Sequence, residues 1–236
     1  MRHKTIVNTS ITASTMRRLL CFLFLFIIAL LPSSLKAQQA KAASNSSFSV
    51  SHIPDAVFKR MEGKSYPKGC PIKRSDLRYV RVLHVGFDGK THQGELICNR
   101  AIADEVLQIF HELYAKHYPI ESIRLIDDYN ASDEQSMRAN NTSCFCFRAV
   151  KGSRKLSAHA RGMAVDINPL YNPCVRRSRR GTVTIQPSTA VRYANRQANF
   201  SHKITRTDQA YRLFTAHGFK WGGSWRSVKD YQHFEK

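Results

Sequence analysis

Ser157-Ala158-His159-Ala160-Arg161-Gly162-Met163-Ala164-Val165-Asp166-Ile167-Asn168 is the stretch on which the fold turns. Gly162 supplies a turn between two elements. Beyond it, the two-residue period of a strand puts Ala164 and Asp166 on one face and Val165 and Ile167 on the other. A carboxylate inside an apolar strand is costly to bury unless it is paired or bound to a cation. His159, on the near side of the turn, can meet Asp166 around one ion. A second anomaly of the same kind stands at Asp230-Tyr231-Gln232-His233-Phe234-Glu235, where His233 and Glu235 share a face and Phe234 takes the other.

Two histidines and one carboxylate suit a catalytic zinc, which takes three protein ligands and keeps one position open for water. Such a site also needs a carboxylate to take the proton of that water. Asp230 lies three residues before His233, where a turn places it beside the ligand. The HExxH helix of other metallopeptidases is absent. Ten histidines in 236 residues produce accidental pairs. Spacing alone therefore leaves the metal site and chance equally open.

Outward from these motifs, the pattern is one of hairpins and separate helices. Leu77–Phe87 alternates and is rich in β-branched residues, Asp88-Gly89 is a turn signal, and Thr91–Cys98 is the hairpin partner. Ile53–Met61, Ala101–His117 and Thr207–His217 have helical features, the second with Ile102, Val106, Ile109, Phe110 and Leu113 on one face. Further strands are expected at Ile123–Ile126, Ser143–Val150, Ala164–Ile167 and Gln232–Glu235. The class is α+β, with a small antiparallel sheet carrying the metal site and helices flanking it. Trp221 and Trp225 bracket Gly222-Gly223; one is expected in the core and the other in a cleft.

Arg17-Arg18, the apolar run Leu19–Leu31, Pro32 and a small-residue exit at Ala37 form a secretory signal peptide over 1–37. The run is too short to span about 30 Å of hydrocarbon. An uncleaved anchor is the alternative, and Met16 an alternative start. Residues 38–51, rich in Ala, Ser, Gln and Asn, are expected as a flexible linker, leaving one domain over 52–236. The expected location is therefore outside the cytoplasm, in the periplasm, the cell wall or the medium. No stable membrane span is expected once the signal is removed.

The formal charge is +20; residues 1–37 hold five of the basic residues and no acid, so +15 remains without them. That favours an anionic partner. The run Arg176-Arg177-Ser178-Arg179-Arg180 is expected as a solvated loop, and with no accompanying nucleic-acid motif, nucleic acid is not the expected partner. Cys70, Cys98, Cys144, Cys146 and Cys174 lie beyond the signal. Small buried thiols and one or two disulfides are equally open.

Ser157-x-His159-x-x-Gly162-x-Ala164-x-Asp166 together with Asp230-x-x-His233-Phe234-Glu235 resembles the zinc D-alanyl-D-alanine carboxypeptidase family. That family includes D-Ala-D-Ala dipeptidases and phage L-alanyl-D-glutamate endolysins and shares its fold with Hedgehog signalling domains. Asn168-Pro169-Leu170-Tyr171-Asn172-Pro173 and Trp221-Gly222-Gly223-x-Trp225 add supporting context, and the similarity covers about residues 70–236.

The resemblance implies zinc hydrolysis of peptide bonds in peptidoglycan stem peptides, as a D,D-carboxypeptidase or an endopeptidase cutting L-Ala–D-Glu or a crosslink. It implies Zn2+ on His159, Asp166 and His233, Asp230 as general base, Ser157 near the substrate, and peptidoglycan or its muropeptides as partner. Many members carry an oxyanion arginine in a Gly-Tyr-Arg-Ser segment. Here Asp128-Tyr129-Asn130-Ala131-Ser132 stands there, with Asn130 at the arginine position. Arg148 is the first candidate to replace it and Arg138 the second. A monomer is expected, and a zinc-containing wall-binding module without turnover is the alternative function.

Overall fold

The computed structural model describes residues 47–148, 155–178 and 180–236. The expected signal peptide, and the linker as far as residue 46, lie outside the described residues. The chain divides into Met1–Ser46 and Ser47–Lys236, and the second unit holds everything below.

Strand β1 (Ser49–Ser51) precedes helix α1 (Asp55–Met61), and the long hairpin β2 (Leu77–Val85) and β3 (Thr91–Asn99) follows. The three strands form an antiparallel sheet in the order β1-β2-β3. Residues 49–51, expected within the linker, are instead an edge strand. Val50 and the buried ring of Phe48 pack against the main core and draw the chain onto β2. Helix α2 (Ala103–Ala115) lays Val106, Ile109, Phe110 and Leu113 on that core, the face its spacing predicts.

Strand β4 is only Ser122–Ile123 and pairs in parallel with β5 (Asn141–Thr142). The longer strand expected at 123–126 is cut short because Ile126–Tyr129 coils into a 3-10 turn. Asp127 anchors that turn by accepting from the Ser65 N–H and Oγ, both at 3.0 Å. Helix α3 (Asp133–Arg138) follows, its first turn capped by Ser132. The strand expected at 143–150 also fails to form over its described part. Ser143 bridges Asp166, but the next N–H groups go to three different segments: Phe145 to Ile97, Cys146 to His159 and Phe147 to Ser65. No single neighbour offers that stretch a ladder.

The sheet expected around the metal motif is present. Strand β6 (Ala164–Asp166) pairs with β11 (His233–Glu235), which pairs in turn with β9 (Lys220–Trp221). Val165, Ile167 and Phe234 point into the main core and are fully buried. Helix α5 (Gln209–Ala216) covers them, with Phe214 stacked on Phe234 at 4.5 Å between ring centroids. Burying each such ring contributes about 1.5–3 kcal/mol.

A third sheet was not anticipated: β7 (Cys174–Arg177) lies between β8 (Val183–Gln186) and β10 (Val228–Asp230). Arg176 and Arg177, expected in a solvated loop, are strand residues here, because their backbone groups pair with Thr184 and Val183. Helix α4 (Val191–Ala194) completes the described elements.

The chain between β6 and β7 is held by two fully buried asparagines. Asn168 adopts φ 45°, and its side chain accepts from the Glu121 N–H and donates to the Pro119 carbonyl. Asn172 donates to the carbonyls of Asn168 and His202 and accepts from Ile204 N–H and Arg196. Every polar group of that amide is engaged, so its loss strands several buried partners at once. Asn172→Ala is expected to cost about 2–4 kcal/mol, read as a fall in melting temperature of roughly 5–12 °C.

Candidate metal centre and cleft

Antiparallel register places Asp166 directly opposite His233, on the face away from the core. His159 reaches the same point from a 3-10 turn, His159–Arg161, that Gly162 closes at φ +67°. A side chain at Gly162 has no room: a Cβ there meets the Asn99 nitrogen at 2.7 Å, because that N–H bonds the Gly162 carbonyl. Ser157 caps the turn, accepting from the Ala160 N–H and donating its hydroxyl to the Arg148 carbonyl. The serine expected near the substrate thus also holds the turn that carries His159.

Three atoms converge. His159 Nε2 lies 3.2 Å from Asp166 Oδ1 and 3.1 Å from His233 Nδ1, and His233 Nδ1 lies 3.0 Å from Asp166 Oδ1. All three residues are buried, and among the described residues they form the one group with the composition and spacing to hold a metal ion. The remaining imidazole nitrogens are already occupied. His159 Nδ1 faces the Cys144 carbonyl at 2.5 Å, and His233 Nε2 faces Glu235 Oε2 at 3.1 Å. With those outer contacts able to take the N–H of each ring, Nε2 of His159 and Nδ1 of His233 are the nitrogens left for a metal. Zinc bonds of about 2.0–2.1 Å at tetrahedral angles put ligand atoms roughly 3.3 Å apart. The donor set and its spacing fit that ion.

The protein groups alone are strongly polarised. Burial opposes the negative charge of Asp166, but His159 and His233 outweigh it and hold the carboxyl far below the usual carboxylate range. Burial opposes a positive His233, but hydrogen bonds to Asp166 and Glu235 lift its pKa to about 10. Asp230 sits in the same cleft, where burial raises its carboxyl above the ordinary value while His233 opposes the rise. Gly222 lets β10 approach: a Cβ there meets the Asp230 carbonyl at 2.7 Å and the Asp230 Cβ at 2.9 Å.

These groups open into a cleft of about 400 Å³ that also takes in Ser157, Arg148, Arg176 and Trp225. The Trp225 ring lies 5.2 Å from the His233 ring, whereas Trp221 is buried and donates to the Tyr231 carbonyl, so the two tryptophans divide as expected. Arg148 enters the cleft with its Nε in ion-pair contact with Asp133. Arg138 does not line it. That side chain turns outward to Glu134 and Ser188, because its place on α3 puts an acid one helical turn away. Asn130, at the position of the family's arginine, sits in a left-handed turn at φ 53°.

Residues 151–236 match a family model described as D-alanyl-D-alanine carboxypeptidase. That part of the chain is similar to the family in sequence. The match supports a peptidase role, and it is narrower than the resemblance over 70–236, since β2, β3 and α2 lie outside it. No curated protein and no solved structure matches the chain significantly.

Within the matched part, the sequence reading missed two residues of the cleft. Glu235 was placed on the His233 face but given no role, although its carboxylate orients that ring. Arg176 was lost in the basic run. Its signal was alternation, because Cys174 and Arg176 share one face of β7 and both reach the cleft. The Arg176 Nε is buried with no hydrogen-bond partner among the described residues.

A larger cavity, about 440 Å³ along β2, β3 and β4, contains no candidate metal group among the described residues. Its charges are already matched, Glu95 with Arg60 and Arg124 with Asp128.

His159→Ala and His233→Ala are expected to abolish zinc retention through dialysis, measured by metal analysis. Glu235→Ala should weaken zinc binding about 10–100-fold. Asp230→Asn should retain zinc at the wild-type level.

Proposed function

We propose that the chain is a zinc-dependent peptidase that cuts peptide bonds in peptidoglycan stem peptides outside the cytoplasm. One observation carries the reading: three lone-pair donors converge within 3.2 Å in a cleft that also holds Asp230, inside the stretch matched by the carboxypeptidase family model. His159, Asp166 and His233 would hold the ion. Bound there, Zn2+ supplies a Lewis acid that makes water nucleophilic near neutral pH and polarises a carbonyl.

The protein's own groups do the rest. Asp230 takes the proton of the attacking water and returns it to the leaving amine. Its raised pKa suits a base that must also act as an acid. Arg148, steadied by Asp133, and Arg176 present guanidinium groups to the cleft and stabilise negative charge that develops on the substrate oxygen. Trp225 gives the cleft an apolar wall beside His233. The formal charge of +15 left without residues 1–37 draws an anionic wall polymer toward the enzyme and makes association sensitive to salt. Export rests on the basic, apolar and small-residue pattern of residues 1–37.

Incubation of the zinc-loaded protein with purified muropeptides, followed by mass analysis, tests the reading. Loss of a terminal D-Ala is the outcome of a D,D-carboxypeptidase, and scission within the stem or crosslink that of an endopeptidase. A chelator should stop either reaction, and Asp230→Ala should lower kcat at least 100-fold with zinc still bound. Intact muropeptides after prolonged incubation, with binding retained, would instead identify a zinc-containing wall-binding module.

A further inference from the structure

Cys174 has no part in the chemistry above, yet it lines the cleft across from Asp230. The strand pair β7–β10 sets Cys174 directly opposite Asp230, and β7–β8 sets it opposite Gln186. All three residues line the cleft in one row across the sheet. Directly opposed residues bring their Cβ atoms to about 4.5–5.5 Å, within reach of a side-chain contact. Cys174 is 4% exposed, so water cannot take the place of a protein partner for its thiol. On the other side of Asp230, Gln232 Nε2 donates to Oδ1 at 3.3 Å.

A cleft holding Cys174, His233 and Asp230 also invites a thiolate nucleophile. The surroundings oppose it. Burial and then the Asp230 charge push the Cys174 thiol pKa upward, and no imidazole hydrogen-bonds the sulfur among the described residues, since both His233 nitrogens face carboxylates. Reactive cysteines have the opposite environment, electropositive and partly open. A neutral thiol facing a carboxylate is a hydrogen-bond donor.

We propose that Cys174 is a positioning residue for the general base: its S–H donates to the Asp230 carboxylate and, with the Gln232 amide, fixes the orientation of that carboxylate toward the cleft. The assignment of Asp230 as base rests on the peptidase reading; the contact itself does not. Hydrogen bonds to charged groups contribute about 1.5–3 kcal/mol, so a base freed from this one should work roughly 10–100-fold more slowly.

The experiment has two arms, both on the full zinc-loaded chain. In the first, the S–H stretching band of Cys174 is isolated as the infrared difference between wild type and Cys174→Ala. It should lie below the frequency of an unbonded thiol and move up to it in Asp230→Ala. The same band position in both backgrounds overturns the proposal, whether or not the protein turns over any substrate. In the second, muropeptide kinetics are compared for Cys174→Ala and Cys174→Ser. The alanine variant should lose kcat about tenfold or more with KM and zinc content unchanged, and the serine variant, which keeps a donor, should recover most of the loss. An alanine variant with wild-type kcat, or a serine variant as slow as alanine, overturns the role. Wild-type protein inactive toward muropeptides sinks the peptidase reading, while the infrared arm still decides the contact.

Discussion

Two imidazoles and a carboxylate held within 3.2 Å of one another, all buried, form the constraint on which the C-terminal part of the chain depends. The cost of burying charge opposes bringing such groups together out of water. Their closeness is imposed from both sides. The register β6–β11 fixes Asp166 against His233, and the Gly162 turn swings His159 into the gap. The backs of both rings are then tied, one to a carbonyl and one to Glu235. Protons can satisfy the arrangement only in part, since one Asp166 oxygen must answer two rings. A divalent cation would engage all three donors at once, which would couple its binding to the folded state.

The same strands serve the core through their other face. Val165, Ile167 and Phe234 alternate with Asp166 and His233, so the residues that position the ligands are the ones that anchor α5 and α2. An error of one residue in register would exchange the two faces, burying the ligands and exposing the core. The metal site therefore inherits its accuracy from hydrophobic burial, and the apolar face needs no knowledge of the ion.

This division explains what was legible in the sequence. The hairpin β2–β3, helix α2 and the β6–β11 pair were readable because period and face agree along each segment: alternation in the strands, Val106, Ile109, Phe110 and Leu113 in the helix. The clustering of His159, Asp166 and His233 was readable for the related reason that a polar residue interrupts the strand pattern at Asp166 and His233. The losses lie where backbone partners come from far away. Residues 145–147 look like a strand but give their N–H groups to three separate segments. Sheet β10-β7-β8 is built from short strands that mix valine with arginine, lysine and glutamine, a composition that does not distinguish a wall of the cleft from a solvated loop. Arg138 and Arg148 both stood near the right place in sequence; only the position of α3 decided that one turns to Glu134 and the other enters the cleft.

That unforeseen sheet carries the asymmetry of the site. Sheet β6-β11-β9 contributes ligands, and sheet β10-β7-β8 contributes Asp230, Cys174, Arg176 and Gln186. The two meet at the short connection Tyr231-Gln232, between Asp230 and His233. Gly222 packs against that connection with no space for a methyl group, and Trp221 holds it from beneath through the Tyr231 carbonyl. Asp230 and His233, the proposed base and a proposed metal ligand, thus belong to different sheets although only three residues apart, and their separation is set by packing as well as by chain length. A shift of one sheet against the other would move the proton acceptor relative to the metal ligands without disturbing those ligands. Changes at Gly222 or Trp221 should therefore act on turnover before they act on zinc.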